Sequence, residues 1–221
     1  MRARGAARDV VRCCRRLWEA GLIAGADGNV SVRLGPDRIL VTPRGCLKAE
    51  LEASDLVEVT LAGAPVGSPA GPRRPRFRRP SSELDLHLRV YRQSEECGAV
   101  VHAHPPVATA FAVAGEPIPG DVLAEVALLM GEVPVVPYAT TGTPALGDVA
   151  APFLARHPAV LLANHGAVTW GADLTVARIR MESLEHAARI LFAARALGRV
   201  TRLTTDQLQA LQHLRGKSRD G

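Results

Sequence analysis

Apolar residues near the start of the chain recur at helical spacing. In AARDVVRCCRRLWEA (6–20), Val10, Cys13 or Cys14 and Leu17 fall on one side of a 3.6-residue period, and Gly21 is a natural stop. The period then changes to two. GNVSVRL (28–34) and RILVTP (38–43) alternate like strands, and the Gly-Pro-Asp between them predicts a hairpin. DLVEVTL (55–61) reads as a third strand and GAPVGSPAGPRRPRFRRP (63–80) as a long loop. A helix is expected from about Ser82, with Ser82 and Asp85 in a capping pattern and Leu84, Leu88 and Tyr91 facing inward.

Further along, CGAVVHAH (97–104) predicts a buried strand that two prolines end, and PVATAFAVA (106–114) a short helix. DVLAEVALLM (121–130) is expected to be helical, VPVVPY (133–138) a short strand, and PALGDVAAPFLARH (144–157) a helix feeding the apolar strand AVLLAN (159–164). Residues 174–197 form a long amphipathic pattern, and TTDQLQALQHL (204–214) a last helix capped by Thr204 or Thr205. Strands and helices interleave without a repeat period or a linker. This predicts one α/β domain over 1–221, with a core of about 6–200 and a terminal helix and tail at 204–221. The early hairpin argues against a purely parallel sheet.

Composition narrows the setting. At 221 residues, 47% hydrophobic and 22% charged, the chain is large enough for a substantial core and ordinary for a soluble protein. The segment MRARGAARDVVRCCRR lacks a signal-peptide core, and no apolar run is long enough to cross a bilayer. Cys13, Cys14, Cys46 and Cys97 form no C-x-x-C pair and read as reduced thiols. A cytoplasmic protein with no membrane partner is expected. The net charge of +5 is concentrated, with five arginines in RRPRFRR (73–79). Such a run could attract nucleic acid or a phosphorylated small molecule, but only Phe77 is interleaved to stack on bases, so nucleic acid is set aside.

Chemistry is concentrated at strand ends. In an extended strand His102 and His104 present both imidazoles to one side, a spacing that suits chelation but also fits two rings at a solvent rim. A second apolar strand ends in Asn164-His165-Gly166, and ligands of α/β folds collect at such edges. Glu83 stands in the first turn of a helix behind Ser81 and Ser82. There the dipole favours a carboxylate, and free N–H groups favour an anion. Three imidazoles and a carboxylate suit Zn²⁺ or another borderline divalent ion with a position left for substrate. They could polarise a carbonyl oxygen while the carboxylate moves a proton. Gly21, Gly25 and Gly28 before Asn29 do not form a dinucleotide fingerprint. They are either an anion-binding turn or a plain helix-to-strand turn, and TPRG (42–45) is a second turn of the same kind.

In order along the chain, GNVSVR, VTPRG, PSSE, VVHAHPP, PYATTGTPAL and ANHGAVTWG resemble the motifs of the class II aldolase/adducin family, across about residues 10–200. The resemblance implies a single three-layer α/β/α domain with a central mixed, largely antiparallel sheet, assembled as a homotetramer with active sites between subunits. It implies one Zn²⁺ per subunit, or another divalent metal, on His102, His104 and His165. Glu83 would be a ligand at rest and the acid/base on the substrate carbon, and phosphate would bind at Gly28, Asn29, Gly45, Ser81 and Ser82.

The implied reaction is cleavage of a short ketose 1-phosphate, of the L-fuculose 1-phosphate type, to dihydroxyacetone phosphate and an aldehyde through a metal-stabilised enediolate. The metal replaces a Schiff-base lysine, and neither Lys48 nor Lys217 sits in a motif suggesting that role. Two positions depart from aldolases of that type. Arg44 stands where they carry a small hydroxyl residue. Leu123 stands where a tyrosine reaches a neighbouring subunit's site to protonate the leaving aldehyde, and the chain's tyrosines, Tyr91 and Tyr138, do not take its place. The same site therefore admits a decarboxylase, dehydratase or epimerase of a phosphorylated sugar or keto acid. A non-catalytic adducin-like scaffold is disfavoured by the retained histidines and Glu83.

Overall fold

Residues 3–66 and 79–217 are described by the computed structural model, so of the arginine run only Arg79 can be placed. Among the described residues, seven strands build one mixed sheet: β1 (Asn29–Gly35), β2 (Arg38–Val41), β3 (Val57–Thr60), β4 (Ala99–Ala103), β5 (Val135–Val136), β6 (Ala159–Leu162) and β7 (Gly166–Gly171). Their order is β3-β2-β1-β4-β7-β6-β5, and every pairing is antiparallel except β5 with β6.

The two-residue side-chain period sends alternate residues of each strand into different layers. Ala99, Val101 and Ala103 of β4 pack in one core with α1 (Ala3–Glu19), α3 (Pro106–Ala114) and the 23-residue α6 (Leu174–Ala196). Val100 packs in the other with α2 (Leu84–Gln93) and α5 (Pro144–Leu154). The arrangement is α/β/α. His102 continues the Val100 row and so faces α2, the helix that Glu83 precedes. α4 (Ala124–Leu129) and α7 (Thr205–Lys217) lie against each other beside the α6 layer.

Several elements differ from the expectations above. GAVTWG is a strand, β7, that lies between β4 and β6; a three-residue turn folds it back along β6, so the chain continues in the sheet after His165. Helix α4 keeps only part of 121–130. The Ser82–Asp85 cap does not form; instead Ser81 Oγ accepts from Glu83 N at 3.2 Å and the helix begins at Leu84. The inward face of α2 carries Leu86, His87, Leu88, Val90 and Tyr91, with Leu84 only partly covered. No helix of the described residues is long and apolar enough to cross a membrane.

Candidate active site

His102 is the last but one residue of β4, and the following turn carries His104 to its side. His104 N donates to Leu22 O at 3.0 Å, while Pro106 opens α3 and fixes the exit of the chain. Val107 N and Ala108 N of that helix donate to the buried Glu185 carboxylate of α6. His165 sits in the β6–β7 turn, after Asn164 in the left-handed region at φ 54°. Gly166 follows because a Cβ there would lie 2.6 Å from Ala103 O and from the His104 ring. The three rings meet with centroids 4.7–5.0 Å apart.

The donor nitrogens of His102, His104 and His165 lie within 4.8 Å of one another. His102 Nδ1 faces Ala167 O at 2.9 Å; as the donor there it leaves the Nε2 lone pair turned toward His104 Nε2, 3.2 Å away. Glu83 closes the cluster, with Oε2 3.2 Å from His102 Nε2 and Oε1 3.2 Å from His165 Nε2. Oε1 of Glu83 and Nδ1 of His165 are buried without a hydrogen-bond partner. An anionic oxygen and three imidazoles turned toward one point, with buried capacity unused, fit a divalent cation of the borderline class. Asp27 Oδ2 lies 3.5 Å from His104 Nδ1 and orients that ring from outside.

The electrostatics follow from burial and opposite charge. Burial pushes the Glu83 carboxyl up, but the His102 ring, the Asn29 amide and His165 outweigh it and hold the carboxyl well below the usual range. Burial lowers His102 and Glu83 raises it more, so its net shift is upward. Burial and then the His102 charge lower His104, and they bring His165 down to about 4. Glu83 and His102 thus each favour the charged form of the other, while burial favours the neutral form of His104 and His165.

In front of the cluster lies a polar cleft of about 510 Å³. Gly28, Asn29, Gly45, Ser81, Ser82, Glu83, His104 and His165 all line it, although they come from five separate segments. His102 is fully buried and does not line the cleft itself. Backbone pairing assembles the wall: Ser81 N donates to Thr42 O at 3.1 Å and Arg44 N to Arg79 O at 3.0 Å. Gly28 has φ +68°, and a Cβ there would stand 2.7 Å from His102 O.

The cleft also contains residues that the sequence did not mark as its lining, among them Asp27, Lys48 and Thr141. Lys48 is buried, and its Nζ donates to Ala26 O at 2.9 Å and Cys46 O at 3.0 Å, joining the two glycine turns. Its signal was rarity, since the chain has one other lysine. Arg44 lines the cleft as well. Leu123 does not: it precedes α4 beside Val122, Ile190 and Leu191, around a separate pocket of about 90 Å³.

Known proteins match this chain along most of its length. The family model described as Class II Aldolase and Adducin N-terminal domain matches residues 8–192. A 3-oxo-tetronate 4-phosphate decarboxylase of Pectobacterium atrosepticum is 34% identical, covering 92% of this chain and 90% of its own. A 5-deoxy-D-ribulose 1-phosphate aldolase of Bacillus thuringiensis is 31% identical, with 92% of each covered. A solved structure of L-fuculose 1-phosphate aldolase superposes with a TM-score of 0.85 at 30% identity, covering 94% of each chain.

Proposed function

The chain belongs to the class II aldolase/adducin family, and on that premise we propose that it is a zinc-dependent aldolase cleaving a short ketose 1-phosphate. The observation that carries this reading is Glu83, an ionised carboxylate set against three imidazoles on the wall of a polar cleft. His102, His104 and His165, with Glu83 at rest, would hold the metal. Zn²⁺, or another divalent ion, would supply Lewis acidity toward the substrate's carbonyl oxygen.

The chain's own residues supply the rest. Substrate phosphate binds at the turn of Gly28 and Asn29, the turn of Gly45, and Ser81 and Ser82 before α2, where N–H groups and hydroxyls converge beside the Arg44 cation. In the cleavage direction the substrate hydroxyl gives its proton to Glu83, the carbon–carbon bond breaks, and its electron pair moves onto the carbonyl. The aldehyde leaves and Glu83 returns a proton to the carbon of the dihydroxyacetone phosphate half. In synthesis Glu83 removes that proton. The reading includes a one-domain subunit, a cytoplasmic location, and a homotetramer whose sites lie between neighbouring subunits.

A second reading has its own support. Leu123 offers no hydroxyl to exchange a proton with the aldehyde oxygen, and one relative is named a decarboxylase of a phosphorylated keto acid. In that reaction the bond to carbon dioxide breaks, its electrons enter the adjacent ketone, and Glu83 passes a proton taken from water to the carbon left behind. The test is incubation of the zinc-loaded protein with ketose 1-phosphates and with phosphorylated keto acids. Release of dihydroxyacetone phosphate is expected; carbon dioxide alone would transfer the assignment to the second reading, and neither product would refute both.

A further inference from the structure

Behind the cleft, the polar residues of β1 are buried. Asn29 is 4% exposed, and Ser31 and His87 are fully covered between β1 and α2. They form a continuous chain. Tyr91 Oη and Ser31 Oγ are 2.9 Å apart, Ser31 Oγ and His87 Nδ1 2.7 Å, and His87 Nε2 and Asn29 Oδ1 2.5 Å. Asn29 Nδ2 then donates to Glu83 Oε2 at 2.7 Å. Glu83, His87 and Tyr91 occur at four-residue intervals and so share one side of the helix and its approach.

The direction of every bond follows from its last member. Asn29 sets Nδ2 against Glu83 and Oδ1 against His87, so its NH₂ donates to the carboxylate and its carbonyl oxygen accepts from the ring. His87 must then donate from Nε2, which leaves Nδ1 as an acceptor. Ser31 therefore donates to His87, and Tyr91 donates to Ser31. The neutral imidazole this requires agrees with the burial that pushes His87 down to about 3.

The geometry points to His87 as a positioning residue for the acid/base: through Asn29 it fixes which way the amide faces, and so holds the Glu83 carboxylate in line with the substrate carbon. Without the imidazole donor, the Asn29 amide could turn and set its own oxygen against Glu83, repelling the carboxylate instead of anchoring it. The second hydrogen on Asn29 Nδ2 stays free to reach the cleft, so the same amide can connect Glu83 to the phosphate end. The inference rests on the proposed role of Glu83, but the orientation of Asn29 can be read without turnover.

The experiment compares wild type, His87→Leu and His87→Gln as zinc-loaded protein. Side-chain amide resonances of Asn29, identified by their loss in Asn29→Ser, report its anchoring. Deuterium exchange into dihydroxyacetone phosphate reports Glu83, and zinc content reports the metal site. His87→Leu should keep its zinc, lose protection of the Asn29 amide, and exchange roughly 10²-fold more slowly at saturation, the scale of a misplaced catalytic group. KM should change by about threefold or less, because the phosphate contacts remain. His87→Gln offers an N–H donor to Asn29 and should recover most of the rate. Where His87→Leu does not fold, Ser31→Ala, which frees the imidazole to change tautomer, should show the same two losses in weaker form. Unchanged amide protection and exchange in whichever of these variants folds would overturn the inference. A wild type that exchanges no deuterium, with amide protection still lost in His87→Leu, would refute the role of Glu83 while upholding the positioning.

Discussion

Asn29 and His102 stand opposite each other across the β1–β4 ladder, and their side chains end on the same oxygen, Oε2 of Glu83. One is 2.7 Å away and the other 3.2 Å. The sheet thus grips, from two strands in fixed register, a carboxylate that the approach to α2 supplies. A slip of one residue in either strand would turn its partner to the opposite layer. The position of the group proposed to handle the proton is therefore set by the pairing at the centre of the sheet.

The first prediction concerns the metal. His104→Ala removes one of three donors that lie within 4.8 Å, and the remaining imidazoles and Glu83 give an incomplete set. Zinc content after dialysis should fall from about one per subunit to a small fraction, with affinity lowered roughly 100-fold or more, since even outer-shell losses cost 10–100-fold. Activity should disappear with the metal. Full zinc occupancy in the mutant would contradict the ligand assignment.

Glu83→Gln separates proton transfer from binding. The amide keeps the size of the side chain and one oxygen for the metal, but it cannot take up a proton near neutral pH. Turnover and deuterium exchange into dihydroxyacetone phosphate should fall by about 10²–10⁴-fold, the usual contribution of a general acid/base. KM should stay within a fewfold, because Ser81, Ser82 and the glycine turns are intact. Wild-type turnover would mean that another group moves the proton.

The legible part of this site was the part written in local pattern. H-x-H at a strand end, His165 at a turn and Glu83 at a helix start each follow from period and punctuation, and the structure brings all four side chains together. The strand of residues 166–171 was hidden because it follows His165 after only a three-residue turn and carries glycine at both ends, so it resembled the continuation of that turn. The buried role of Asn29 and Ser31 was hidden for another reason. In NVSV the alternation suggests that one side meets water, yet α2 covers it with His87 and Tyr91. The pairing of two polar faces across 54–60 residues leaves no periodic trace; the spacing of Glu83, His87 and Tyr91 was its only local sign.

Gly28→Ala tests how closely the glycine turn and the metal strand must approach. At φ +68° an L side chain is strained, and the new Cβ would lie 2.7 Å from His102 O. A cost of about 1–3 kcal/mol is expected from the backbone alone. Thermal unfolding should therefore drop by several degrees, at about 2–4 °C per kcal/mol for a chain of this size. KM for a phosphorylated substrate should rise as well, because the turn proposed to receive the phosphate moves. A variant with wild-type melting and KM would show that the two strands tolerate a wider gap.

The last prediction is a pH dependence of stability that belongs to His87. Burial, with the nearby His102 charge, pushes its pKa from 6.5 down to about 3, and Glu83 opposes this only in part. In the unfolded chain the ring titrates near the ordinary value of about 6.5. Between those limits the unfolded chain takes up a proton that the folded protein refuses, so stability falls as pH drops. The slope from this one group approaches about 1.4 kcal/mol per pH unit well below 6.5 and vanishes above it. His87→Gln lacks the titrating group, so its deficit relative to wild type should be greatest near pH 7.5 and should shrink steadily toward pH 4.5. Urea melts of both proteins with metal removed by chelator check this, because Glu83, His102, His104 and His165 titrate in both and largely cancel. A gap that stays constant across that range would mean that the imidazole is charged inside the fold, which would reverse the bond assigned from Ser31 to His87 Nδ1 while leaving His87 Nε2 the donor to Asn29.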